Sequence, residues 1–352
     1  MSKSWKNATL NQTGRVADAI SIIDNSGVQI CLVVDGDGRL AGTITDGDVR
    51  RGILRGLGLD TPVTDIMNHH PRVARPEDGR ERIQRIMADN LLRQVPLVDS
   101  EGRLVGLVID KDLTRIPELG RDNPVVLMAG GLGNRLRPLT ENTPKPLLRV
   151  GAKPLLETIL EAFIAFDFRN FYISVNYKAE MVKDHFGDGS NLGCRISYLE
   201  EDRRLGTAGA LGLLPECPTV PLIVMNGDLL TKVNFASLLE FHREHRSVAT
   251  MCVREYDFQV PYGVVNIQDH RIVGIVEKPV HSFFVNAGIY VLDPSVLHLI
   301  PPDEPFDMTQ LFDRIVAAGE NTAVFPIREY WLDIGRIDDF ERANGDFTRI
   351  FG

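Results

Sequence analysis

The chain of 352 residues lacks the features that mark several large protein classes. It has four cysteines, at positions 31, 194, 217 and 252, and no two form a C-x-x-C pair. That excludes a disulfide framework and a cysteine zinc cluster, and it fits free thiols in a reducing compartment. The eight histidines show no metal-ligand spacing, and no Ser-His or Cys-His constellation stands out. The N-terminal stretch MSKSWKNATLNQTG has no apolar signal-peptide core, and apolar runs such as VPLIVM at 220–225 are too short to cross a bilayer. The expectation is a cytoplasmic protein with no membrane partner. Positive charge is scarce as well: 39 Lys and Arg against 48 Asp and Glu leave a net charge of −9. Duplex nucleic acid is therefore not an expected partner, because binding it takes an excess of cations.

What the chain does have is an internal repeat. ICLVVDGDGRLAGTITDGDV at 30–49 matches QVPLVDSEGRLVGLVIDKDL at 94–113 with one fixed offset. Asp35 pairs with Asp99, Gly38 with Gly102, Gly42 with Gly106 and Asp48 with Asp112. Each copy reads as strand, glycine turn, strand and an x-D-x-D step into a short helix. Helical patterns precede both copies, at 16–24 and 79–90. A module of this size cannot cover its own sheet, so the two copies should pack as one domain.

The repeat resembles a tandem pair of CBS modules over roughly residues 8–117. In that family a Thr or Ser after the second strand, and an Asp three residues on, grip the ribose of an adenine nucleotide. The first copy has Thr45 and Asp48; the second keeps Asp112 but has Ile109 in the Thr position. The resemblance thus implies one adenine-nucleotide cleft, or a packing and dimerisation unit with no ligand. A homodimer or higher homo-oligomer through these modules is expected. We set the regulatory pair at 1–118, a linker at 119–124 within the proline-bearing stretch TRIPELGRDNP, and a second domain at 125–352.

From Pro124 onward the pattern alternates between α and β. Strands are expected at 125–129, 171–175, 195–199 and 221–226, with helices at 154–166, 179–185 and 207–213. A strand-rich stretch follows at 248–292, then helices near 308–317 and 336–345. This is the signature of an α/β fold with a mostly parallel sheet. The first strand runs into MAGGLGNRLRPLTENTPKPLL, a glycine loop at a strand end. It is not a P-loop, because no Gly-Lys-Ser/Thr follows. It is not a dinucleotide loop either, because Leu136 takes the third glycine position and Pro138, Pro144 and Pro146 forbid a helix there. Gly130, Gly131 and Gly133 allow close backbone approach, while Arg135 and Lys145 supply charge suited to a triphosphate.

The motif G-G-x-G-x-R followed by P-K-P resembles that of the sugar nucleotidyltransferases, over nearly all of 124–350. The resemblance implies a Rossmann-like, GT-A-like mixed sheet with helices on both faces. It implies transfer of a nucleotidyl group from an NTP to a sugar 1-phosphate, with release of diphosphate. Arg135 and Lys145 would stabilise the leaving diphosphate, and Lys278 would orient the attacking phosphate. Ala129, Gly130, Gly131, Gly133, Gly206, Thr207 and Asp228 would line the nucleotide. Gly263, Glu277 and Asn286 would line the sugar, and Asp228 with Asp333 would hold Mg²⁺.

In this family the residue at Glu201 reads the base. A carboxylate only accepts hydrogen bonds, and guanine offers two adjacent donors, so Glu201 points to GTP. Cytosine, with one amino donor, stays open at this point, as do UTP and dTTP. Glu201 as plain surface charge and each Asp as a helix cap are the simpler alternatives. A non-catalytic regulatory subunit would be expected to have lost one of the cations or aspartates, and all are present. A bifunctional acetyltransferase is not expected, since no hexapeptide repeats appear. For the acceptor the resemblance implies glucosamine or mannose 1-phosphate, and a role in bacterial surface-glycan or nonulosonic (legionaminic) acid synthesis.

Overall fold

The computed structural model describes residues 3–90, 92–109 and 121–351. Asp112 lies outside the described residues, as do positions 119 and 120 of the expected linker. The chain divides into two compact units, Met1–Leu119 and Gly120–Gly352.

In the first unit β1 (Thr9–Asn11), β2 (Ile30–Val34) and β3 (Leu40–Thr45) form one sheet, with β1 parallel and β3 antiparallel to β2. The second copy supplies the hairpin β4 (Gln94–Val98) and β5 (Leu104–Ile109). The repeated D-x-x-G element makes the turns. Asp35 and Asp99 each accept the amides two and four residues on, all at 2.9 Å. Gly38 and Gly102 then adopt φ of 77° and 79°, which other L-residues adopt only with strain. The two turns also bond to each other. Leu40 N–H donates to the Gly102 carbonyl and Leu104 N–H to the Gly38 carbonyl, both at 3.0 Å. Ile30 and Leu32 share a buried cluster with Leu104 and Leu107, so the copies complete one another's core.

The second unit is built on a seven-stranded mixed sheet. Its parallel half is β10 (Arg195–Glu200), β9 (Asn170–Val175), β6 (Val125–Met128) and β11 (Leu222–Asn226), in that order. Next come β16 (Val280–Leu292), antiparallel to both neighbours, then β13 (Ala249–Gln259) and β17 (Thr322–Ile327). Short pairs lie outside this sheet: β7 (Arg149–Val150) with β8 (Lys153–Pro154), β12 (Leu229–Thr231) with β18 (Trp331–Asp333), and β14 (Val264–Gln268) with β15 (Arg271–Val276).

Each central strand is apolar on both sides, as a doubly covered sheet requires. Val125 and Leu127 enter one core and Val126 the other. The first core takes Leu156, Leu160 and Phe163 of the helix Leu155–Ile164 and Leu238 of the helix Phe235–Glu244. The second takes Leu311 and Ile315 of the helix Met308–Ala317. Helices on both faces and a mixed α/β sheet are what the sequence implied. Two boundaries differ from expectation. The glycine-rich 207–213 forms only the turn Gly206–Gly209 and a 3₁₀ turn, and the last helix runs on to Phe351.

The buried His242 joins helix to sheet, its Nδ1 lying 2.8 Å from Thr250 Oγ1 on β13. Burial holds its pKa down, from 6.5 to about 4. Because the unfolded chain then binds the proton first, this contribution is complete above pH 6.5 and is lost as pH falls towards 4. We expect wild-type stability in urea to drop by an amount on the order of 3 kcal/mol across that window, at ~1.4 kcal/mol per pKa unit. The variant His242→Gln should show a flatter pH dependence.

Candidate active site

The parallel strands end together, and the loops that follow β6 and β11 lie side by side. Ala129 N–H donates to the Ser174 carbonyl at 3.0 Å, and Gly227 N–H to the Met128 carbonyl at 2.8 Å. Gly227 has no room for a side chain, since a Cβ would lie 2.8 Å from that same carbonyl oxygen. Beyond Ala129 the loop turns at Gly133, with φ of 65°, and Thr140 Oγ1 returns to its carbonyl at 2.8 Å. Leu136, in the place of a third glycine, is fully buried and anchors the loop. The short turn Lys145–Leu147 starts at Pro144 and buries Pro146. Those prolines fix where Lys145 points.

Lys145 reaches across to the turn after β11. Its Nζ lies 2.6 Å from Asp228 Oδ2. The other oxygen, Oδ1, is buried with no hydrogen-bond partner. Asp333 is brought in from 105 residues away (333 − 228) by the β12–β18 pair. Leu229 stands opposite Asp333, and Ile334 N–H donates to the Asp228 carbonyl at 3.0 Å. Desolvation, then the like charge of Asp228, push the Asp333 carboxyl above its ordinary range, while Lys145 and Arg135 oppose the shift. Arg135 also lies beside Gly335, whose Cβ position would be 3.6 Å from Nη1. Two cations and two carboxylates thus meet at one strand end.

Gly131, Gly133, Arg135, Lys145, Asp228 and Gly335 line a cleft of about 220 Å³. That is below the ~300–1,000 Å³ of a whole drug-sized ligand site and suits the phosphate end of a nucleotide. Arg204 lines the same cleft, and the sequence reading passed over it. Its neighbour Arg203 is tied to the Asp303 carbonyl. Within the run EEDRR nothing marks which arginine turns inward, so only the fold reveals it.

Glu201 follows β10, and its carboxylate lies against the glycine loop. Oε1 would sit 2.8 Å from a Cβ on Gly130. That oxygen accepts from the Ser174 hydroxyl, and Oε2 accepts from Leu205 N–H at 2.9 Å. Two donors thus fix the carboxylate while each oxygen keeps a further lone pair. Thr207 has partners of its own that the sequence did not reveal. Its amide and hydroxyl both donate to Asp307 Oδ1, and its Oγ1 accepts from Met308 N–H at 2.8 Å. That clamps the start of the helix Met308–Ala317, and Gly206 beside it has a φ of 79°.

The remaining residues lie elsewhere. Gly263, Glu277 and Lys278 stand where β13 and β16 give way to the β14–β15 hairpin, with Glu277 Oε2 against Gly263. Asn286 lies on β16, where its Nδ2 donates to Tyr290 Oη at 2.8 Å and its Oδ1 accepts from Gly288 N–H at 2.9 Å. In the first unit Thr45 and Asp48 form a helix capping box, and Asp48 also pairs with Arg51 at 2.6 Å.

A strand-end glycine loop with paired cations thus faces two aspartates at the carboxyl end of the parallel strands of a mixed α/β sheet. The family model described as "Nucleotidyl transferase" matches residues 124–349, and the CBS domain model matches 4–55 and 63–118. The chain belongs to the nucleotidyl transferase family and carries a tandem CBS pair ahead of that domain. It is 36% identical over 226 residues to a probable mannose-1-phosphate guanylyltransferase 1 of Oryza sativa subsp. japonica, covering 61% of this chain and 62% of the relative. It is 33% identical over 232 residues to a mannose-1-phosphate guanylyltransferase of Mycobacterium tuberculosis, covering 64% of each. The match therefore spans somewhat less than two thirds of those relatives.

Among solved structures, a putative glucose-1-phosphate thymidylyltransferase of Bacillus anthracis superposes with a TM-score of 0.52 at 26% identity, over 63% of this chain and 94% of the other. HddC of Yersinia pseudotuberculosis gives 0.51 at 26% identity, over 64% and 99%.

The packing at Gly227 makes Gly227→Ala a sensitive probe of the site's frame. Its Cβ must displace the Met128 carbonyl or Ala129, at a cost of about 1–3 kcal/mol. Urea unfolding should register that loss. By contrast Gly131→Ala, with nothing within 4 Å of its Cβ, should leave stability nearly unchanged.

Proposed function

We propose that this protein is a sugar-1-phosphate guanylyltransferase, converting GTP and a hexose 1-phosphate to a GDP-sugar and diphosphate. The observation that carries this reading is Glu201, an acceptor-only carboxylate oriented by Ser174 and Leu205 against the Gly130 loop. Guanine N1–H and N2–H₂ are the adjacent donors that match it. The names of the curated relatives support the same base.

In this reading a phosphate oxygen of the sugar phosphate attacks the α-phosphorus in line. The bond from that phosphorus to the bridging oxygen breaks, and diphosphate leaves with the electron pair. The nucleophile is already an anion, so no general base is needed. Rate enhancement comes from positioning and from charge held where it develops. Arg135, Lys145 and Arg204 would receive the diphosphate, while Lys278 and Glu277 would orient the sugar phosphate and the sugar.

Asp228 and Asp333 fit Mg²⁺. The ion takes one or two carboxylates and completes its shell with phosphate oxygens and water, and Asp228 Oδ1 is a buried acceptor without a donor. Bound there, the metal would supply charge neutralisation to the phosphates.

Mannose and glucosamine 1-phosphate are the acceptors we propose, in the supply of nucleotide sugars for surface-glycan or nonulosonic acid synthesis. We further propose a homodimer assembled through the CBS pair, with an adenine nucleotide held beside Thr45 and Asp48.

Diphosphate release measured with GTP, CTP, UTP and dTTP against both sugar phosphates tests the assignment. GTP should be the preferred donor, and turnover with UTP or CTP but not GTP would overturn the use of Glu201. Glu201→Gln replaces an acceptor with a donor and should lower kcat/KM for GTP by roughly ten- to a hundredfold, the scale of ~1.5–3 kcal/mol for a hydrogen bond to a charged group. Asp228→Asn should remove turnover with an unchanged circular dichroism spectrum; near-normal diphosphate release by that variant would sink the metal assignment. Arg204→Ala should raise KM for the nucleotide severalfold.

A further inference from the structure

We infer that Lys178 is a positioning residue, whose ammonium pins the loop carrying Arg135 and Lys145 at the spacing from Glu201 that a single nucleoside triphosphate requires. The inference rests on the reading of the cleft as a nucleotide site, and extends it to a side chain that does not line that cleft. One nucleotide presents its base and its phosphates at a limited range of separations. Glu201 and the two cations lie on different loops, so those loops must be held in register with each other.

The cation-bearing loop has little to secure its tip. Residues 137–144 contain neither helix nor strand. Leu136, Thr140 and Pro144 are buried, but 137–139 and 141–142 are exposed. The bonds inside the tip are local: Leu139 N–H donates to the Leu136 carbonyl at 2.9 Å and Glu141 N–H to the Pro138 carbonyl at 3.1 Å. Among the described residues, the hydrogen bonds that join 137–144 to another element come from the turn after β9. There Lys178 Nζ donates to the Glu141 carbonyl at 2.6 Å. Tyr177 Oη stands 3.5 Å from both the Thr140 and the Glu141 carbonyl oxygens. The Tyr177 ring braces the ammonium, which lies 5.3 Å from its centroid.

The same stretch of chain grips Glu201. Ser174 Oγ donates to its carboxylate, and Asn176 Nδ2 donates to its carbonyl at 2.5 Å. The Val175 carbonyl accepts its N–H at 3.0 Å. Residues 174–178 thus hold the base-reading carboxylate on one side and the phosphate loop on the other. Lys178 does so from a strained backbone. Its φ of 54° and ψ of 39°, just before the helix Ala179–Phe186, are left-handed, a conformation that glycine adopts without strain. A lysine there carries a backbone penalty that its side chain has to offset, and the Glu141 carbonyl is where that side chain is bonded.

The test compares Lys178→Gly, which removes the ammonium and relaxes the backbone, with Lys178→Arg, which keeps a donor, both in the full chain. A loop that is competent only part of the time lowers apparent affinity by that fraction and leaves the saturated rate alone. For Lys178→Gly we expect KM for the triphosphate to rise about tenfold, with kcat held within about twofold. Inhibition by the matching nucleoside monophosphate, which reaches Glu201 but not the two cations, should stay within about twofold of wild type. Amide exchange across 138–142 should quicken without nucleotide, the urea midpoint should not fall, and Lys178→Arg should keep a near wild-type KM. An unchanged KM, a fall in kcat alone, an equal loss of monophosphate affinity or a lowered urea midpoint overturns the proposal. So does unchanged amide exchange, or a Lys178→Arg variant as impaired as Lys178→Gly. The assay uses whichever of GTP, CTP, UTP and dTTP the wild type prefers, so a wrong base assignment leaves the result readable. Wild type that turns over none of the four overturns the nucleotidyl-transfer reading and this proposal together.

Discussion

Two carboxylates brought together at the edge of a folded sheet repel each other unless positive charge stands close by. The nucleotidyl transferase unit is arranged around that requirement. Asp228 and Asp333 are neighbours because a three-residue strand pair joins segments far apart in sequence. Lys145 bonds to one of them, and Arg135 and Lys145 both act on the charge of the other. The prolines around Lys145, the buried Leu136 and the side-chain-free Gly227 all serve to hold these four groups in place. The same cations that balance the aspartates are the ones a polyphosphate would meet. On the proposed function, ligand-free stability and phosphate recognition draw on one set of charges.

Much of this was legible in the sequence because its chemistry is local. Glycines at a strand end, prolines that forbid a helix, and a carboxylate just after β10 are each read from a few adjacent residues. The duplicated D-x-x-G turns were legible for the same reason, and the structure adds that they bond to each other. What could not be read was which of several like residues turns inward. Arg203 and Arg204 differ only in where the backbone after β10 aims them. The sequence also carried no sign that the hydroxyl and amide of Thr207 engage a helix start a hundred residues on. Asn286 likewise uses one donor and one acceptor within β16. Such long-range commitments leave no trace in spacing.

The first unit shows a related division. Its turns and hydrophobic pattern account for the fold, and its core is shared between the copies. Thr45 and Asp48 satisfy each other as a cap, so their presence is already explained by the helix they start. A nucleotide held there would have to share Asp48 with both the cap and Arg51.

The pair β12–β18 is only three residues long on each side and stands outside the seven-stranded sheet. Segments of that kind open locally at lower free energy than the strands of a doubly covered sheet. Closing the pair also joins positions about a hundred residues apart, so it gains little from local contacts during folding. Leu229 and Leu230 of β12 and Leu332 of β18 are nonetheless buried in the first core, so packing rather than strand length ties the two aspartates to the sheet. Separating the aspartates by opening this pair must therefore also expose part of that core.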